Sequence, residues 1–272
     1  MSKKLSIDQK TADAFATSWN NLPDGSIYTY DQFINWMHPL KEKDIKNKRV
    51  LELGCGNGSL MLHLINWKPS YFEGIDLGDS INTASRNLAI SGFKNFKITR
   101  SNLTEFESDG FDVVYCIGVL HHLKNPKDGF DAVIRNVRKG GSFHCWVYAK
   151  EGNAVIIYLV DPLRKIVSKL PWWLTKYVIA TPLAVPFYIY SNILSIGKKI
   201  SLFKKLPLFE YSLWIAQRGF LFFRHVAFDQ LVTPQTAYIK RSELQDWLSQ
   251  YDHIDKESTY IINRNGNSWK FG

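Results

Sequence analysis

The sequence predicts an α/β fold in which a doubly wound, mostly parallel sheet is interrupted by an inserted helical cap. The first observation behind this prediction is an alternation of short β-branched or aromatic runs with helix-like stretches. The strand-like runs lie at 49–53, 71–75, 96–99, 111–117 and 141–148, and the helix-like stretches at 59–67, 80–91 and 127–137. Such repeats need right-handed crossovers and give a parallel sheet covered on both faces, with ligands at the carboxyl ends of the strands.

The second observation is a change of composition in the middle of the chain. Residues 151–225 carry ten basic and three acidic side chains and are rich in aromatic residues and prolines, whereas residues 1–150 carry 19 basic and 16 acidic side chains. We therefore predict three parts. These are an N-terminal helical segment plus ligand-binding core at 1–152, an inserted cap or lid at 153–223, and a C-terminal part at 224–272 that completes the core sheet with strands at 259–263 and 268–271.

Charge, cysteine content and the N-terminus narrow the class of protein. The chain has 272 residues and a net charge of +9, and MSKKLSIDQK contains no apolar signal-peptide core. Its three cysteines form no CxxC pair, which predicts reduced thiols in a cytoplasmic protein. Because histidines and acids do not cluster with ligand spacing, we expect no metal site.

A glycine-rich turn, VLELGCGNGSL, joins the first predicted strand to the first helix. Gly54, Gly56 and Gly58 give the spacing GxGxG, and Ser59 stands next, so the turn departs from the dinucleotide fingerprint GxGxxG. Glycines here let the backbone approach a ligand closely. The turn by itself leaves the ligand open.

Further landmarks follow this turn: GIDL, RSNL, FDVVYCIGVLHHL and VRKGGSFHCWVY. With ELGCGNG they make residues 49–148 resemble the class I S-adenosylmethionine-dependent methyltransferases, in the methyltransferase type 11 group, which is similar to the ubiquinone-biosynthesis methyltransferases. The resemblance implies a Rossmann-like seven-stranded sheet, S-adenosyl-L-methionine as cofactor, and direct SN2 methyl transfer.

The resemblance also implies a set of cofactor contacts. Glu52 and the backbone of 54–58 would hold the methionine part, and Asp76 would accept hydrogen bonds from both ribose hydroxyls. Asn102 stands where the family commonly has an aspartate for the adenine amino group. The implied cofactor-binding residues are Trp19, Glu52, Gly54, Cys55, Gly56, Gly58, Asp76, Leu77, Asn102, Leu103, Ile117 and Gly118.

Trp19 enters this set because TADAFATSWNNL resembles a short helix that closes over the cofactor in many such domains. Phe15 and Trp19 are four residues apart, so they could equally pack a helix onto the core. Both interpretations stay open.

Two sets of residues are candidates for the chemistry and for the methyl acceptor. His121 and His122 follow the fourth predicted strand, where one of them could act as a general base; the alternative is an ordinary loop pair bonded to backbone and solvent. His225, Asp229 and Gln230 come just before the chain rejoins the core, in a predicted loop, and are either acceptor contacts or helix-end and turn residues. Stretches shared with uncharacterised capped methyltransferases of bacteria add Tyr148, Glu151 and Asn153 as acceptor contacts.

The cap contains 21 uncharged residues, 177–197, which are enough to span a bilayer. A single span would separate the last strands from the rest of the sheet, and we expect Pro182 and Pro186 to break the stretch. The remaining alternatives are a lid over the site, a homodimer interface, and peripheral contact with a membrane.

Together these observations predict methyl transfer to a small molecule, a saccharide or a lipid-linked acceptor. The alternatives are a nucleic-acid (RNA) methyltransferase, a lipid methyltransferase at the membrane surface, and a cofactor-binding protein without catalysis. The basic charge invites nucleic acid. Against that class, the fourth strand is followed by neither an Asn-Pro-Pro-aromatic box nor a Pro-Cys nucleophile, and the charge is interleaved with bulky apolar residues.

Overall fold

A computed structural model of the chain describes residues 6–20 and 28–272, with the side chains of 18–20 left out. The predicted contact of the Trp19 side chain with the cofactor therefore lies outside the described residues. Seven strands form one sheet in the order β3-β2-β1-β4-β5-β7-β6. Their bounds are β1 Arg49–Leu53, β2 Tyr71–Asp76, β3 Phe96–Arg100, β4 Phe111–Ile117, β5 Val137–Tyr148, β6 Ile261–Arg264 and β7 Ser268–Phe271.

The first five strands are parallel, and β7 pairs antiparallel with both β5 and β6. This confirms the predicted fold class, a doubly wound and mostly parallel seven-stranded sheet. Eleven α-helices are described: α1 Ile7–Asn20, α2 Tyr30–Met37, α3 Glu42–Ile45, α4 Ser59–Leu64, α5 Ile81–Ile90, α6 Pro126–Arg135, α7 Asp161–Val167, α8 Thr181–Ile196, α9 Phe209–Ala216, α10 Phe220–Val232 and α11 Arg241–Ser249.

Each face of the sheet is buried by its own group of helices. Phe130 of α6 and Leu244 of α11 belong to an apolar cluster on one face, and Phe33 of α2 and Met61 of α4 belong to a cluster on the other. Burial on both faces explains why β1 and β4 read as nearly continuous apolar runs. The carboxyl ends of the central strands are left as the place where a ligand can enter.

Some predicted bounds differ from the observed ones. The helix predicted at 127–137 ends at Arg135, and β5 begins at Val137, well before the predicted 141. The register between β4 and β5 shifts between Phe111 and Val113. That irregularity lets the glycine-containing start of β5 pair with β4, although its sequence resembles a turn.

The segment 153–223 is helical over most of its length, and α10 continues the helical region to Val232. The prediction that His225, Asp229 and Gln230 lie in a loop is wrong, because all three are on α10. The run FLFFRHVAFDQLV contains neither glycine nor proline, and Phe228, Leu231 and Val232 pack against Val167 and Ala180. The helix ends just before Pro234, as expected for a residue that disfavours the helical conformation before it.

The uncharged stretch is also less broken than predicted. A π-helical segment, Leu174–Ala180, runs into α8, and Pro186 lies inside that helix. Pro182 and Pro186 each lack an N–H and so each remove one backbone hydrogen bond from this continuous helical run, but they do not end it. Leu174–Ile196 is consequently the one described helix that is long and apolar enough to cross a membrane, with 22% of its most apolar window buried.

Candidate functional site

A cavity of about 450 Å³ lies at the carboxyl ends of the strands, between the sheet, α1 and the helices of the cap segment. It brings together most of the residues predicted for the cofactor and for the acceptor. Those that line it are Glu52, Gly54, Cys55, Gly56, Asp76, Leu77, Asn102, Leu103, Ile117, Gly118, His122, Tyr148, Asn153, His225, Asp229 and Gln230. His121, Glu151 and Gly58 are not among the lining residues.

The glycine-rich turn is shaped by close packing as well as by access to the cavity. Gly54 has a φ of +83°, and a Cβ there would lie 2.3 Å from Cγ2 of Val119. A Cβ at Gly58 would lie 3.2 Å from Ala84 of α5. Gly58 therefore serves the packing of two helices, and Gly56, where a Cβ would meet no atom within 4 Å, leaves the backbone open to a ligand.

Asp76 is the last residue of β2, and its carboxylate holds the glycine-rich turn that follows the neighbouring strand β1. Its Oδ2 accepts a hydrogen bond from the Gly56 N–H at 2.8 Å, and its Oδ1 accepts one from the Gly78 N–H at 2.8 Å. Burial raises the pKa of Asp76, although these backbone bonds oppose the shift. A carboxylate oxygen has a second lone pair, so both oxygens can still accept hydrogen bonds from a vicinal diol.

Glu52 supplies a second buried carboxyl group to the cavity. It is 2% exposed, and its Oε2 accepts a hydrogen bond from the Tyr115 hydroxyl at 2.9 Å. Burial raises its pKa to about 8; the Tyr115 bond opposes the rise and the charge of Asp76 adds to it. A positively charged ligand group beside this carboxyl would stabilise its ionised form, so the site suits a cation.

Asn102 lines the cavity but is already engaged. Its Oδ1 accepts from the Thr104 N–H at 3.1 Å and from the Thr104 hydroxyl at 2.9 Å, while its Nδ2 donates to Glu105 at 2.9 Å. The amide oxygen that the resemblance assigns to adenine thus uses both lone pairs within the protein. A further hydrogen bond would require it to release one of these donors.

The two neighbouring histidines occupy different environments. His122 lines the cavity, and its Nδ1 lies 3.0 Å from the Gln235 carbonyl oxygen and 3.2 Å from the Thr236 hydroxyl. Because a carbonyl only accepts, Nδ1 carries the proton and Nε2 holds a free lone pair. Burial lowers the pKa of His122 to about 3.

His121 is fully buried behind the cavity wall. Its ring lies 4.0 Å from that of Tyr148, and neither ring nitrogen has a hydrogen-bond partner among the described residues. Burial lowers its pKa well below the usual value. Of the two predicted bases, the fold therefore brings only His122 to the cavity.

A buried arginine organises the acceptor side of the cavity. Arg164 is 1% exposed, pairs with Asp161 at 2.8 Å, and donates from Nη2 to Oε1 of Gln230 at 2.8 Å. Gln230 in turn donates to the Tyr148 hydroxyl at 2.7 Å. Sequence reasoning missed Arg164 because an i,i+3 acid–base pair in a basic segment usually lies on a solvated surface.

The remaining acceptor candidates differ in position. His225 and Asp229 line the cavity one turn apart on α10, with Nε2 and Oδ2 separated by 3.3 Å. Asn153 donates to the carbonyl oxygens of Ala149 and Asn267, both at 2.7 Å, and so holds the wall together. Glu151 does not line the cavity: this exposed residue accepts from the Arg241 N–H at the start of α11 and from the Trp269 indole of β7.

Comparison with known proteins finds similarity to methyltransferases over part of the chain. A family model described as a methyltransferase domain matches residues 44–156. A tRNA U34 carboxymethyltransferase of Helicobacter pylori (strain P12) is 29% identical over 117 residues, which cover 41% of this chain and 45% of that protein. A ubiquinone biosynthesis O-methyltransferase of Neisseria meningitidis serogroup C (strain 053442) is 32% identical over 87 residues, or 30% of this chain and 37% of that protein.

The chain thus spans less than half of the length of each of these curated relatives, and the match to the family model ends at residue 156, near the start of the cap segment. Among solved structures, an O-methyltransferase family protein from Burkholderia thailandensis has a TM-score of 0.51 and 10% identity, covering 89% of this chain and 54% of that one. At this identity the similarity is one of fold.

Proposed function

We propose that the chain, whose residues 44–156 match a model of a methyltransferase domain, transfers the methyl group of S-adenosyl-L-methionine to a small molecule, a saccharide or a lipid-linked acceptor held beneath the cap segment. One observation carries the proposal. The residues expected around the methionine part, such as Gly118, and the acceptor candidates on α10, such as Asp229, line the same cavity. Direct displacement requires donor and acceptor to meet in one enclosed space, where alignment supplies much of the rate.

The residues of the cofactor side fit S-adenosyl-L-methionine. Glu52 offers a buried carboxyl group for the cationic methionine end, and Asp76 offers two oxygens for the ribose hydroxyls. Leu77 and Leu103 supply apolar surface for the adenine. When bound, the cofactor supplies an electrophilic methyl group; the protein binds, orients and excludes water.

On the acceptor side we propose that His122 receives the proton that the attacking group of the acceptor loses. Its Nε2 can accept a hydrogen bond from a hydroxyl or amine of the acceptor, which orients the attacking atom and receives its proton. A neutral imidazole is the form present near neutral pH, because burial lowers its pKa to about 3. Helices α9 and α10 would act as the lid, since Trp214 and Phe222 line the cavity.

The second candidate function is RNA methylation, which is favoured by the similarity to a tRNA-modifying enzyme. One observation supports the first candidate instead. Residues 153–223, beside the cavity, carry large exposed apolar side chains such as Trp173 and Ile189 between their lysines. We also propose that the protein lies in a reducing cytoplasm, because its three cysteines are free and buried.

The test is transfer of isotope-labelled methyl groups. Purified protein and labelled cofactor would be incubated with polar metabolites, with a lipid extract and with total RNA, each prepared from cells. We expect label in one of the first two fractions and its loss in Asp76→Ala, followed by identification of the product by mass spectrometry. Label in RNA alone would establish the second candidate, and failure of the protein to bind the cofactor in calorimetry would contradict both.

A further inference from the structure

Arg264, at the end of β6, is a buried cation that lines the cavity. Its side chain is 7% exposed, Nε donates to Oδ1 of Asn35, and Nη2 has no hydrogen-bond partner among the described residues. Its guanidinium carbon lies 5.5 Å from the ring of Trp36, 5.7 Å from Trp146 and 5.4 Å from Trp214. The aromatic faces shield the charge from water and leave one edge of the fork unpaired.

The surroundings of Arg264 contain further positive charge. Over residues 6–20 and 28–272 no carboxylate lies within ion-pair distance of it. Lys270 is 4% exposed and donates to the Asn35 carbonyl oxygen at 2.9 Å. Two buried cations, Arg264 and Lys270, thus donate to the same residue, Asn35. Burial is the main cause that lowers the pKa of Arg264 to about 10; Tyr211 opposes the shift and the charge of Arg218 contributes to it. The guanidinium is still charged at neutral pH.

A buried charge without a partner is costly, and a protein retains it where a ligand supplies the opposite charge. We propose that Arg264 binds an anionic group, a carboxylate or a phosphate, carried by the methyl acceptor. The inference rests on the proposed function and narrows its substrate class to amphipathic anions. Trp146 lies between Arg264 and the methionine end of the cofactor site. Its ring is close to the Arg264 guanidinium on one side and lies 3.2 Å from the position that a Cβ at Gly118 would take on the other. An acceptor anchored on Arg264 would thus extend toward the methionine end of the cofactor.

The experiment compares three probes that share one alkyl chain: octanoate, octyl phosphate and uncharged octanol. Each is titrated by calorimetry into protein saturated with S-adenosylhomocysteine, whose own binding is measured first. We expect one of the anions to bind roughly 10- to 100-fold more tightly than octanol, as for a charge-assisted hydrogen bond. Arg264→Gln should abolish this preference. Arg138→Gln, which removes an exposed arginine paired with Asp112, is the matched control and should retain it.

The three arms separate the possible results. A preference for octanoate or for octyl phosphate identifies the anionic group. Equal binding of all three probes by the unaltered protein would overturn the inference, as would a preference that survives Arg264→Gln. If that variant loses affinity for S-adenosylhomocysteine while its preference among the probes is unchanged, Arg264 serves the cofactor instead and the inference is wrong. Failure of the unaltered protein to bind S-adenosylhomocysteine would contradict the proposed function itself.

A separate observation concerns the outer surface of the cap segment. Val185, Ile189, Ile193 and Ile196 are spaced four, four and three residues apart along α8 and are 42%, 54%, 51% and 88% exposed. Solvated helices carry polar residues on such a face. Most of the exposed large apolar side chains in the described part of the chain lie between 158 and 221.

The charge around this face indicates what covers it. Lysines precede and follow the stripe at 176, 198, 199, 204 and 205, whereas Asp161 and Glu210 are the two acids of residues 153–223. Apolar side chains with tryptophans and a basic border are typical of surfaces that rest on anionic lipid. Two copies of this face would bring like charges together, which disfavours pairing.

We infer that the α8 face docks on an anionic membrane surface. Leu221 is 69% exposed and also lines the cavity, so the lipid-facing surface reaches the site itself. An amphipathic acceptor could pass from the bilayer into the cavity beside this residue.

Flotation with vesicles tests the docking. The protein should bind vesicles of phosphatidylcholine with about one third phosphatidylglycerol, bind pure phosphatidylcholine at least about fivefold less, and lose binding as salt rises above about 0.5 M. The triple variant I189S/I193S/I196S should stay in the soluble fraction. Ile90→Ser, which removes an isoleucine 75% exposed on α5, is the control and should bind normally.

Three outcomes would overturn the docking: vesicle binding by the triple variant equal to that of the control, concentration-dependent dimerisation that the triple variant abolishes, or release from cell membranes by detergent alone. The second would identify a second copy as the occupant. The third would identify a transmembrane helix. Circular dichroism melts of both variants check that the fold is intact.

Discussion

Tyr115 of β4 donates a 2.9 Å hydrogen bond to Glu52 of the neighbouring strand, inside the cavity wall. The register of the sheet places these residues directly side by side. The bond stabilises the ionised carboxylate, but burial outweighs it, and the pKa of Glu52 is about 8. Near neutral pH the carboxyl group is therefore largely protonated in the absence of a ligand.

Binding of the cationic cofactor should be linked to the ionisation of Glu52. A positive charge beside the carboxyl group favours the deprotonated form, so affinity should rise from about pH 6 to about pH 8, and protons should be released on binding near pH 7. Calorimetry in two buffers of different ionisation enthalpy measures that release. Glu52→Gln should abolish it, and Tyr115→Phe should move the affinity profile to higher pH. Proton uptake, or none, in the unaltered protein would contradict this prediction.

Asp76→Ala should weaken binding of S-adenosylmethionine by about 1.5 to 3 kcal/mol, through loss of charge-assisted hydrogen bonds. The substitution also removes the acceptor for the N–H groups of Gly56 and Gly78. Asp79→Ala is the control, because Asp79 is exposed and pairs with Arg100. Calorimetry measures the cofactor affinity of both variants. Equal losses of affinity would show that the effect comes from removing a negative charge and not from the position of Asp76.

His122→Ala should lower kcat about 100-fold, while affinity for S-adenosylhomocysteine changes less than about twofold. His121→Leu should retain activity, because His121 does not line the cavity. Its unfolding free energy should differ from that of the unaltered protein by less than about 1.5 kcal/mol, since both ring nitrogens lack partners and the volumes are similar. Turnover by the labelled-methyl assay and denaturant unfolding measure the two effects. Normal turnover in His122→Ala would exclude a role in proton transfer.

Arg164→Leu should lower the free energy of unfolding by about 3 to 5 kcal/mol, because it leaves Asp161 and the Gln230 oxygens without their buried donor. Lys165 is the other partner of Asp161, and its side chain is 72% exposed. Lys165→Ala should therefore lower the free energy of unfolding by less than about 1 kcal/mol. Urea unfolding of both variants gives the comparison. Similar losses would show that burial of Arg164 adds nothing to its ion pair.

The sheet and the cofactor side of the site could be predicted because their signals are local. Glycine spacing, an acid at a strand end and apolar strand runs occur within about 100 contiguous residues, and the turn that holds Gly54 follows directly from them. The helix positions in the core differ from the prediction by only a few residues, as at Arg135.

The acceptor side depends on contacts between distant parts of the chain. Arg264 meets Trp36 and Trp214, which come from the N-terminal region and from the cap segment, and no local pattern connects them. The surroundings of Glu151 could not be predicted for the same reason: its partners, Arg241 and Trp269, lie 90 and 118 positions away. A loop was expected at Asp229 because its polar neighbours masked the apolar face of α10.

The antiparallel pairing of β7 with β5 has a consequence for the order of synthesis. Strand β5 is complete at Tyr148, but its partner begins only at Ser268. A ribosome adding ~5 to 20 residues per second needs roughly 6 to 24 s to make the intervening segment. During that interval the growing chain carries an open strand edge together with the apolar helices of the cap segment, so a chaperone that shields nascent chains would find its main substrate there.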